Sequence, residues 1–180
     1  GPTPEQRRHF LTGQLQAPLE AEPGEKFIYS NFGYSLAGAM LETVAKKRWE
    51  DLIKTEIFDW IGLRSGGFGP PVTSPLLPAS TAFAPSGDFW EDDEGHPIRP
   101  FDNPTAVAPA GAVHLSILDA ARYAAFHLAA TRGEIQRMKP FLRILYAPPA
   151  GSDYPFGWSV QDRPWADGKT LNHAGSNTMF

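Results

Sequence analysis

Two adjacent helical patterns constrain the fold of this chain more than any other feature of its sequence. The first covers residues 32–47 and the second begins at Trp49, so only a tight connection separates them. Their apolar positions follow the four-residue spacing of one helix face: Leu36, Met40 and Val44 in the first pattern, and Trp49, Ile53 and Ile57 in the second. The two patterns predict an αα-hairpin with these faces buried, and Gly62 is the expected C-cap.

The remaining sequence changes from helical to strand-like character toward the end of the chain. Residues 64–112 are rich in proline and glycine without a regular period, which indicates an irregular, elaborated segment. The other predicted elements are helices over residues 4–16, 116–132 and 135–146, and strands over 157–160 and 170–173 joined by a turn at Asp167-Gly168. In the helix over 116–132, the apolar stripe is Leu118, Ala121, Ala125 and Leu128. This order of elements predicts a mixed α/β (α+β) fold.

Composition excludes several classes of protein. The chain has 180 residues, of which 42% are hydrophobic and 20% charged, with a net charge of −4, as expected for a globular domain. It has no basic stripe, so a nucleic-acid partner is not expected. No run of 18 apolar residues occurs, so no transmembrane segment is expected. The absence of cysteine removes disulfides, thiol nucleophiles and thiolate metal sites.

A serine nucleophile is not evident in the sequence. Neither Ser-x-x-Lys nor a complete Gly-x-Ser-x-Gly occurs, and Gly33-Tyr34-Ser35-Leu36-Ala37 only approaches the second pattern. A nucleophile elbow requires a strand, a sharp turn and a helix, whereas Ser35 falls within the helix over 32–47. An ordinary helical serine is therefore favoured, and an α/β-hydrolase that uses Ser35 is the alternative.

Two short motifs have residues suited to acid/base and oxyanion chemistry. Tyr29-Ser30-Asn31 directly precedes a helix, where the phenol could transfer protons if a cation lay nearby. These residues alone favour a plainer interpretation, which is a half-buried tyrosine followed by an Asn or Ser helix cap. His173-Ala174-Gly175-Ser176 places an imidazole before small residues whose backbone N–H groups could hold an oxyanion. A strand histidine before a glycine bulge explains that motif equally well.

The other histidines predict no metal or cofactor site. His96 follows an acidic run, and His114 and His127 lie 13 residues apart, so no second ligand stands at a recognised spacing. His127 lies beside Phe126 and Leu128 and is expected to be a packing or surface residue.

A series of motifs, in one order, resembles the family of serine β-lactamases (class C), DD-peptidases and related esterases. The segments that carry the resemblance are Pro23-Gly24, Tyr29-Ser30-Asn31, Gly33-Tyr34, Ile61-Gly62-Leu63, Pro109-Ala110-Gly111 with Ser116 and Asp119, Phe156-Gly157-Trp158, and His173-Ala174-Gly175. The last corresponds to the family's third motif, which is Lys-Thr-Gly in β-lactamases and His-x-Gly in many esterase-like members.

The resemblance implies a β-lactamase/transpeptidase-like fold and an acyl-serine mechanism on an ester, amide or peptide bond. It implies that Tyr29 is the general base or proton shuttle and that Asn31 orients the substrate and the catalytic lysine. It also implies that His173 supplies polarity near the phenol and that Gly175 and Ser176 form the oxyanion and substrate-binding strand. On this basis, we expect Tyr29 and His173 to face one cleft.

The resemblance also bears on the extent of the chain. Residues 1–180 are expected to be a single partial domain, a helical lobe with an antiparallel sheet fragment, without the Ser-x-x-Lys segment and without the last strands and helix. Such a chain should be inactive alone, and its exposed sheet edges should favour self-association. The expected partner is a small-molecule or peptide substrate, and family resemblance alone suggests a periplasmic or other extracytoplasmic location. A catalytically dead ligand- or peptide-binding module of the same fold is the other alternative.

Overall fold

A computed structural model describes residues 4–69, 105–149, 151–166 and 168–175, and all structural statements concern these residues. The helices are α1 (Pro4–Gln14), α2 (Asn31–Ala45), α3 (Trp49–Ile53), α4 (Asp59–Ile61), α5 (Ile117–Thr131) and α6 (Leu142–Tyr146). A π-helical turn, Lys54–Phe58, joins α3 to α4. Short 3₁₀ helices cover Thr105–Ala110, Gln136–Phe141 and Pro164–Ala166. The helix expected over 135–146 is thus divided into a 3₁₀ part, which contains Pro140 and ends at Phe141, and α6.

The described strands form two antiparallel pairs. β1 (Gly67–Phe68) pairs with β2 (Val113–His114), and β3 (Ser159–Arg163) pairs with β4 (Gly168–Asn172). The register of the second pair places Ser159 opposite Asn172. The connection between β3 and β4 contains the 3₁₀ turn Pro164–Ala166, so the hairpin is longer than the two-residue turn expected at Asp167-Gly168. Asp167 itself lies outside the described residues, as do 70–104 of the segment expected to be irregular.

The chain forms two compact units. Of the described residues, the first contains 4–17, 30–69 and 105–120, and the second contains 18–29, 121–149, 151–166 and 168–175. The core of the first unit is built around Trp49, Ala108 and Ala112, with Ile53 and Phe68 packed against them. The second unit contains a group of aromatic side chains in contact: Tyr123 and His127 of α5, Tyr146 of α6, and Trp158.

Local sequence determines where α2 begins. Ser30 has an extended backbone and its side chain accepts a hydrogen bond from the Gly33 N–H at 3.0 Å, so it is the N-cap. At the other end, Lys46 has a positive φ of 55°, and its N–H donates to the Glu42 carbonyl. The predicted helix over 32–47 is therefore present with nearly the expected bounds.

The buried face of α2 differs from the predicted one. Met40 and Val44 are 62% and 84% exposed, whereas the buried residues are Ser35, Gly38, Ala39 and Glu42. A Cβ at Gly38 would lie 2.4 Å from the Pro109 side chain, so the 3₁₀ segment approaches the helix closely there. The buried face of α2 is therefore set by the close approach at Gly38 and by the ion pair of Glu42, rather than by the apolar spacing.

The ion pair that buries Glu42 begins in α1. Arg7 has no exposed surface; it pairs with Glu42 and, at 2.7 Å, with Glu50, and its Nε donates to the Ala106 carbonyl at 3.2 Å. Glu42 also accepts from the Trp49 N–H at 2.9 Å. One guanidinium therefore connects α1, α2, α3 and the first 3₁₀ segment.

The second predicted helix keeps its start but not its periodicity. Trp49 is buried as expected, but Phe58 is the next fully buried residue rather than Ile57. The π-helical turn inserts one extra residue and rotates the rest of the helix about its axis, which brings Phe58 inward. Gly62 has a φ of 83° and ends α4, so the C-cap prediction is confirmed.

The apolar stripe predicted for α5 is also wrong. Leu118 and Leu128 are exposed, whereas Asp119 and His127 are buried. Asp119 accepts hydrogen bonds from both the N–H and the hydroxyl of Ser65 at 2.6 Å, and this contact buries the polar side of the helix start.

Candidate functional site

Tyr29 and Asn31 lie on either side of the residue that caps α2. Tyr29 is 56% exposed, and its ring meets that of Tyr154 edge to face, with the centroids 5.9 Å apart. Asn31 is the first residue of α2 and is exposed. The Ser30 cap fixes the backbone between them, so the two side chains leave the chain at a defined helix start.

Ser35 does not have the properties of a nucleophile. It has no exposed surface, and its hydroxyl donates to the Asn31 carbonyl at 2.9 Å. It lies one turn inside α2, without the strand and sharp turn that expose an elbow serine. The ordinary helical serine favoured by the sequence matches this position, and the Ser35 alternative does not.

His173 follows β4 and has a defined hydrogen bond. Its Nδ1 lies 2.8 Å from the Gly157 carbonyl oxygen. A carbonyl can only accept, so Nδ1 carries the proton and donates it. In the neutral imidazole, Nε2 is then the acceptor atom. A Cβ built at Gly175 would lie 3.7 Å from Nε2, which puts this atom beside the Gly175 backbone. Ser176 lies outside the described residues.

A group of aromatic side chains lies next to His173, and we call it the Trp158 cluster: the buried His127 and the half-buried Tyr123, Tyr146 and Trp158. The indole of Trp158 stacks on Tyr123 at 6.3 Å and meets His127 at 5.0 Å. It also meets the His173 ring edge to face at 6.4 Å. His127 is 6% exposed and its Nδ1 is hydrogen-bonded to the Tyr146 hydroxyl.

Burial changes the protonation of this cluster. It lowers the pKa of His127 to about 4, because the charged imidazolium is costly away from water. It also raises the pKa of Tyr146 to about 12, with a smaller contribution from Tyr123. Burial likewise raises the pKa of Tyr123. At neutral pH, all three groups are therefore uncharged. Sequence reasoning placed His127 as a packing or surface residue but missed Tyr146, because partners 19 residues apart leave no periodic signal.

One segment of the second unit contacts both candidate residues of that unit. Tyr154 meets the ring of Tyr29, and Gly157 and Trp158 meet His173. Residues 154–158 therefore lie against the phenol at one end and the imidazole at the other. This arrangement was not visible in the sequence, where Tyr29 and His173 are 144 positions apart.

Other parts of the described chain offer less to a substrate. A depression of about 350 Å³ is bounded by Lys54, Arg64 and the turn at 62–66, and none of the sequence-predicted site residues lines it. Among the described residues, no group of three or more His, Asp or Glu side chains could hold a metal ion. Within the same residues, no helix is both long and apolar enough to cross a membrane.

Comparison with known proteins gives consistent results. The family profile described as "Beta-lactamase" matches residues 4–180. "Penicillin-binding protein 4" of Amycolatopsis lactamdurans is 25% identical over 119 residues, which are 66% of this chain and 30% of that protein.

Two solved structures share the fold. The octameric penicillin-binding protein homologue from Pyrococcus abyssi gives a TM-score of 0.64 at 24% identity, over 97% of this chain and 38% of that one. The D-amino acid amidase from Ochrobactrum anthropi SV3 gives 0.60 at 21% identity, over 98% of this chain and 51% of that one. The chain thus spans about a third to a half of the length of these relatives. The predicted α+β fold of the β-lactamase and penicillin-binding type is confirmed.

Proposed function

The chain belongs to the beta-lactamase family, and from that premise we propose that its parent protein is a serine hydrolase that forms an acyl-serine intermediate. The substrate contains an ester, amide or peptide bond. The observation that carries this proposal is the segment 154–158, which contacts both Tyr29 and His173 and so supports a shared cleft for the two.

Tyr29 is the proposed proton-transfer group. An exposed phenol at a fixed helix start can reach a substrate, and in this role it takes the proton of the attacking serine and returns it to the leaving group. Asn31, two residues on, is proposed to hydrogen-bond the substrate and to orient the catalytic lysine. Its amide supplies both a donor and an acceptor, which suits a carbonyl or amide of the acyl group.

His173 and the residues after it are proposed to form the opposite wall of the cleft. The imidazole is held by the Gly157 carbonyl and offers Nε2 beside Gly175. Because Gly175 has no side-chain carbon, it leaves room for the acyl group along the backbone. The N–H of Ser176 is proposed as an oxyanion-hole donor.

The nucleophile is proposed to come from a Ser-x-x-Lys segment outside the 180 residues. No such motif occurs within them, and the chain spans only 30% of the penicillin-binding protein that it resembles by sequence. We accordingly propose that residues 1–180 are part of one β-lactamase-like domain. The 180-residue chain alone is then expected to be inactive.

The experiment compares variants of the full-length protein with a chromogenic ester as substrate. Replacing the serine of the Ser-x-x-Lys segment by alanine should abolish the burst of acyl-enzyme. Tyr29→Phe should lower the acylation rate roughly a hundredfold, the usual contribution of a general base, whereas the nearby Tyr34→Phe should leave it unchanged.

Two results would contradict the proposal. Equal rates for Tyr29→Phe and the unmodified protein would remove the proton-transfer role. A full-length protein that binds esters or peptides but hydrolyses none would instead identify a catalytically dead binding module of the same fold.

Self-association is a further part of the proposal. In the described chain, each sheet has only two strands, so no further described strand covers its outer edges, and uncovered edges recruit other strands. The Pyrococcus abyssi homologue is described as octameric, which supports assembly as a property that this fold allows. Light scattering of the 180-residue chain at increasing concentration should show species larger than the 19.7 kDa monomer. A constant monomer mass would contradict this part.

A further inference from the structure

Trp158 contacts both the candidate catalytic imidazole of His173 and two other rings, the half-buried Tyr123 and the buried His127. The planes of its indole and of the His173 ring are inclined at 79°, with the centroids 6.4 Å apart. The indole is nearly parallel to Tyr123, at 18°, and meets His127 at 69°. These are the offset-stacked and edge-to-face geometries that aromatic pairs prefer. The indole therefore has a defined orientation toward His173.

His127, which packs against the Trp158 indole, is itself held in one conformation by its neighbours. His127 is buried, hydrogen-bonded to the Tyr146 hydroxyl, and packed against Tyr123 with centroids 4.5 Å apart. Its low pKa keeps it neutral, so it does not take up a proton and change partners near neutral pH. A buried side chain with a hydrogen bond and several aromatic neighbours cannot change rotamer without losing these contacts.

The position of the indole also fixes the acceptor that orients His173. Gly157 directly precedes Trp158, and its carbonyl accepts the Nδ1–H bond. Its φ of 81° turns the chain into β3. If the indole were lost, both the ring beside the imidazole and the anchor of that carbonyl would be lost together.

We propose that Trp158 is a positioning residue that holds His173 in the Nδ1–H tautomer, so that Nε2 is the atom presented to the substrate. The significance of that atom for catalysis rests on the proposed function, whereas the tautomer does not. A neutral Nε2 accepts a hydrogen bond and donates none. It therefore suits a hydroxyl, a phenol or an amide N–H, and it disfavours a carboxylate at this place in the cleft.

The test is the tautomer of His173, read from long-range ¹H–¹⁵N spectra of the ¹⁵N-labelled 180-residue chain at a pH where the imidazole is neutral. The unmodified chain should show a protonated Nδ1 and an unprotonated Nε2. Trp158→Leu should give a mixture of tautomers, and Trp158→Phe should restore the single Nδ1–H form, because phenylalanine keeps an edge-to-face ring. The matched control is Trp165→Leu, which removes an exposed indole of the same hairpin and should change nothing at His173.

The outcomes separate this inference from the proposed function. A pure Nδ1–H tautomer in a folded Trp158→Leu chain would overturn the inference, as would a protonated Nε2 in the unmodified chain. If Trp158→Leu does not fold, Tyr123→Leu removes the stacking partner of the indole instead, and a pure Nδ1–H tautomer there would also overturn it. Absence of ester hydrolysis by the full-length protein would refute the proposed function and leave the tautomer result standing.

Discussion

The buried guanidinium of Arg7 provides the sharpest test of the forces that hold the first unit together. Arg7→Met keeps much of the apolar stem but removes the charge between Glu42 and Glu50. The second oxygens of both carboxylates have no hydrogen-bond partner in the described part of the chain, and Arg7 is the side chain that forms an ion pair with each of them. The substitution removes the ion-pair partner that the buried Glu42 and the half-buried Glu50 share.

The expected cost can be estimated from these contacts. Removing one partner of a buried ion pair costs about 3–5 kcal/mol, and here a hydrogen bond to the Ala106 carbonyl is lost as well. That approaches the total stability of a domain, about 5–15 kcal/mol. We therefore expect the urea midpoint of the first unit to fall sharply or its native state to disappear. Arg8→Met, one residue along the same helix, removes only an exposed pair with Glu5 and should change stability by less than about 1 kcal/mol.

A double substitution makes the reasoning decisive. Glu42→Gln keeps an acceptor for the Trp49 N–H but removes one buried charge. Arg7→Met combined with Glu42→Gln should therefore be more stable than Arg7→Met alone, because one uncompensated charge is gone. Urea titrations of both variants, followed by circular dichroism, measure the difference. Equal stability of the two variants, or an effect of Arg7→Met no larger than that of Arg8→Met, would refute the electrostatic explanation.

Three further predictions concern stability. The pKa of His127 is about 4 in the folded chain and about 6.5 in the unfolded one, so the unfolded state binds the extra proton between these values. The free energy of unfolding should therefore fall by on the order of 2 kcal/mol as the pH drops from about 6.5 to about 4. In urea titrations at both pH values, His127→Gln should remove this pH dependence, and an unchanged pH dependence would contradict the prediction. Gly38→Ala should destabilise the folded chain by about 1–3 kcal/mol, because its Cβ would meet a Pro109 carbon at 2.4 Å. The control is Gly13→Ala, whose Cβ meets nothing within 4 Å and which should leave the melting temperature unchanged or slightly raised. Asp119→Ala should lower stability by about 1–3 kcal/mol through loss of the Ser65 contacts, and a melting temperature equal to that of the unmodified chain would show that these bonds contribute nothing.

Several features were predictable because they depend on neighbouring residues. The start of α2 depends on the Ser30 side chain, which accepts a hydrogen bond from the N–H three residues later. The end of α4 depends on the next residue, Gly62, which tolerates a positive φ. The family was also predictable from sequence, since its motifs are short and occur in a fixed order. The roles of Tyr29, Asn31, His173, Gly175 and Ser176 remain predictions.

The faces of the helices required the tertiary structure. In α2 and α5, the four-residue apolar spacing selected Met40, Val44, Leu118 and Leu128, which are exposed. Apolar periodicity indicates that a segment is helical. It does not show which face is buried when polar side chains of the helix have ion-pair or hydrogen-bond partners in the interior.

By itself, the sequence determined the order of the main helices and of the strands β3 and β4, the caps and the family, because each depends on local backbone chemistry or on short motifs. Only the tertiary structure decided that Arg7 joins three helices, that His127 is neutral against Tyr146, and that Trp158 lies beside His173. Such contacts join residues far apart in the chain, and burial alters their protonation only once they have met.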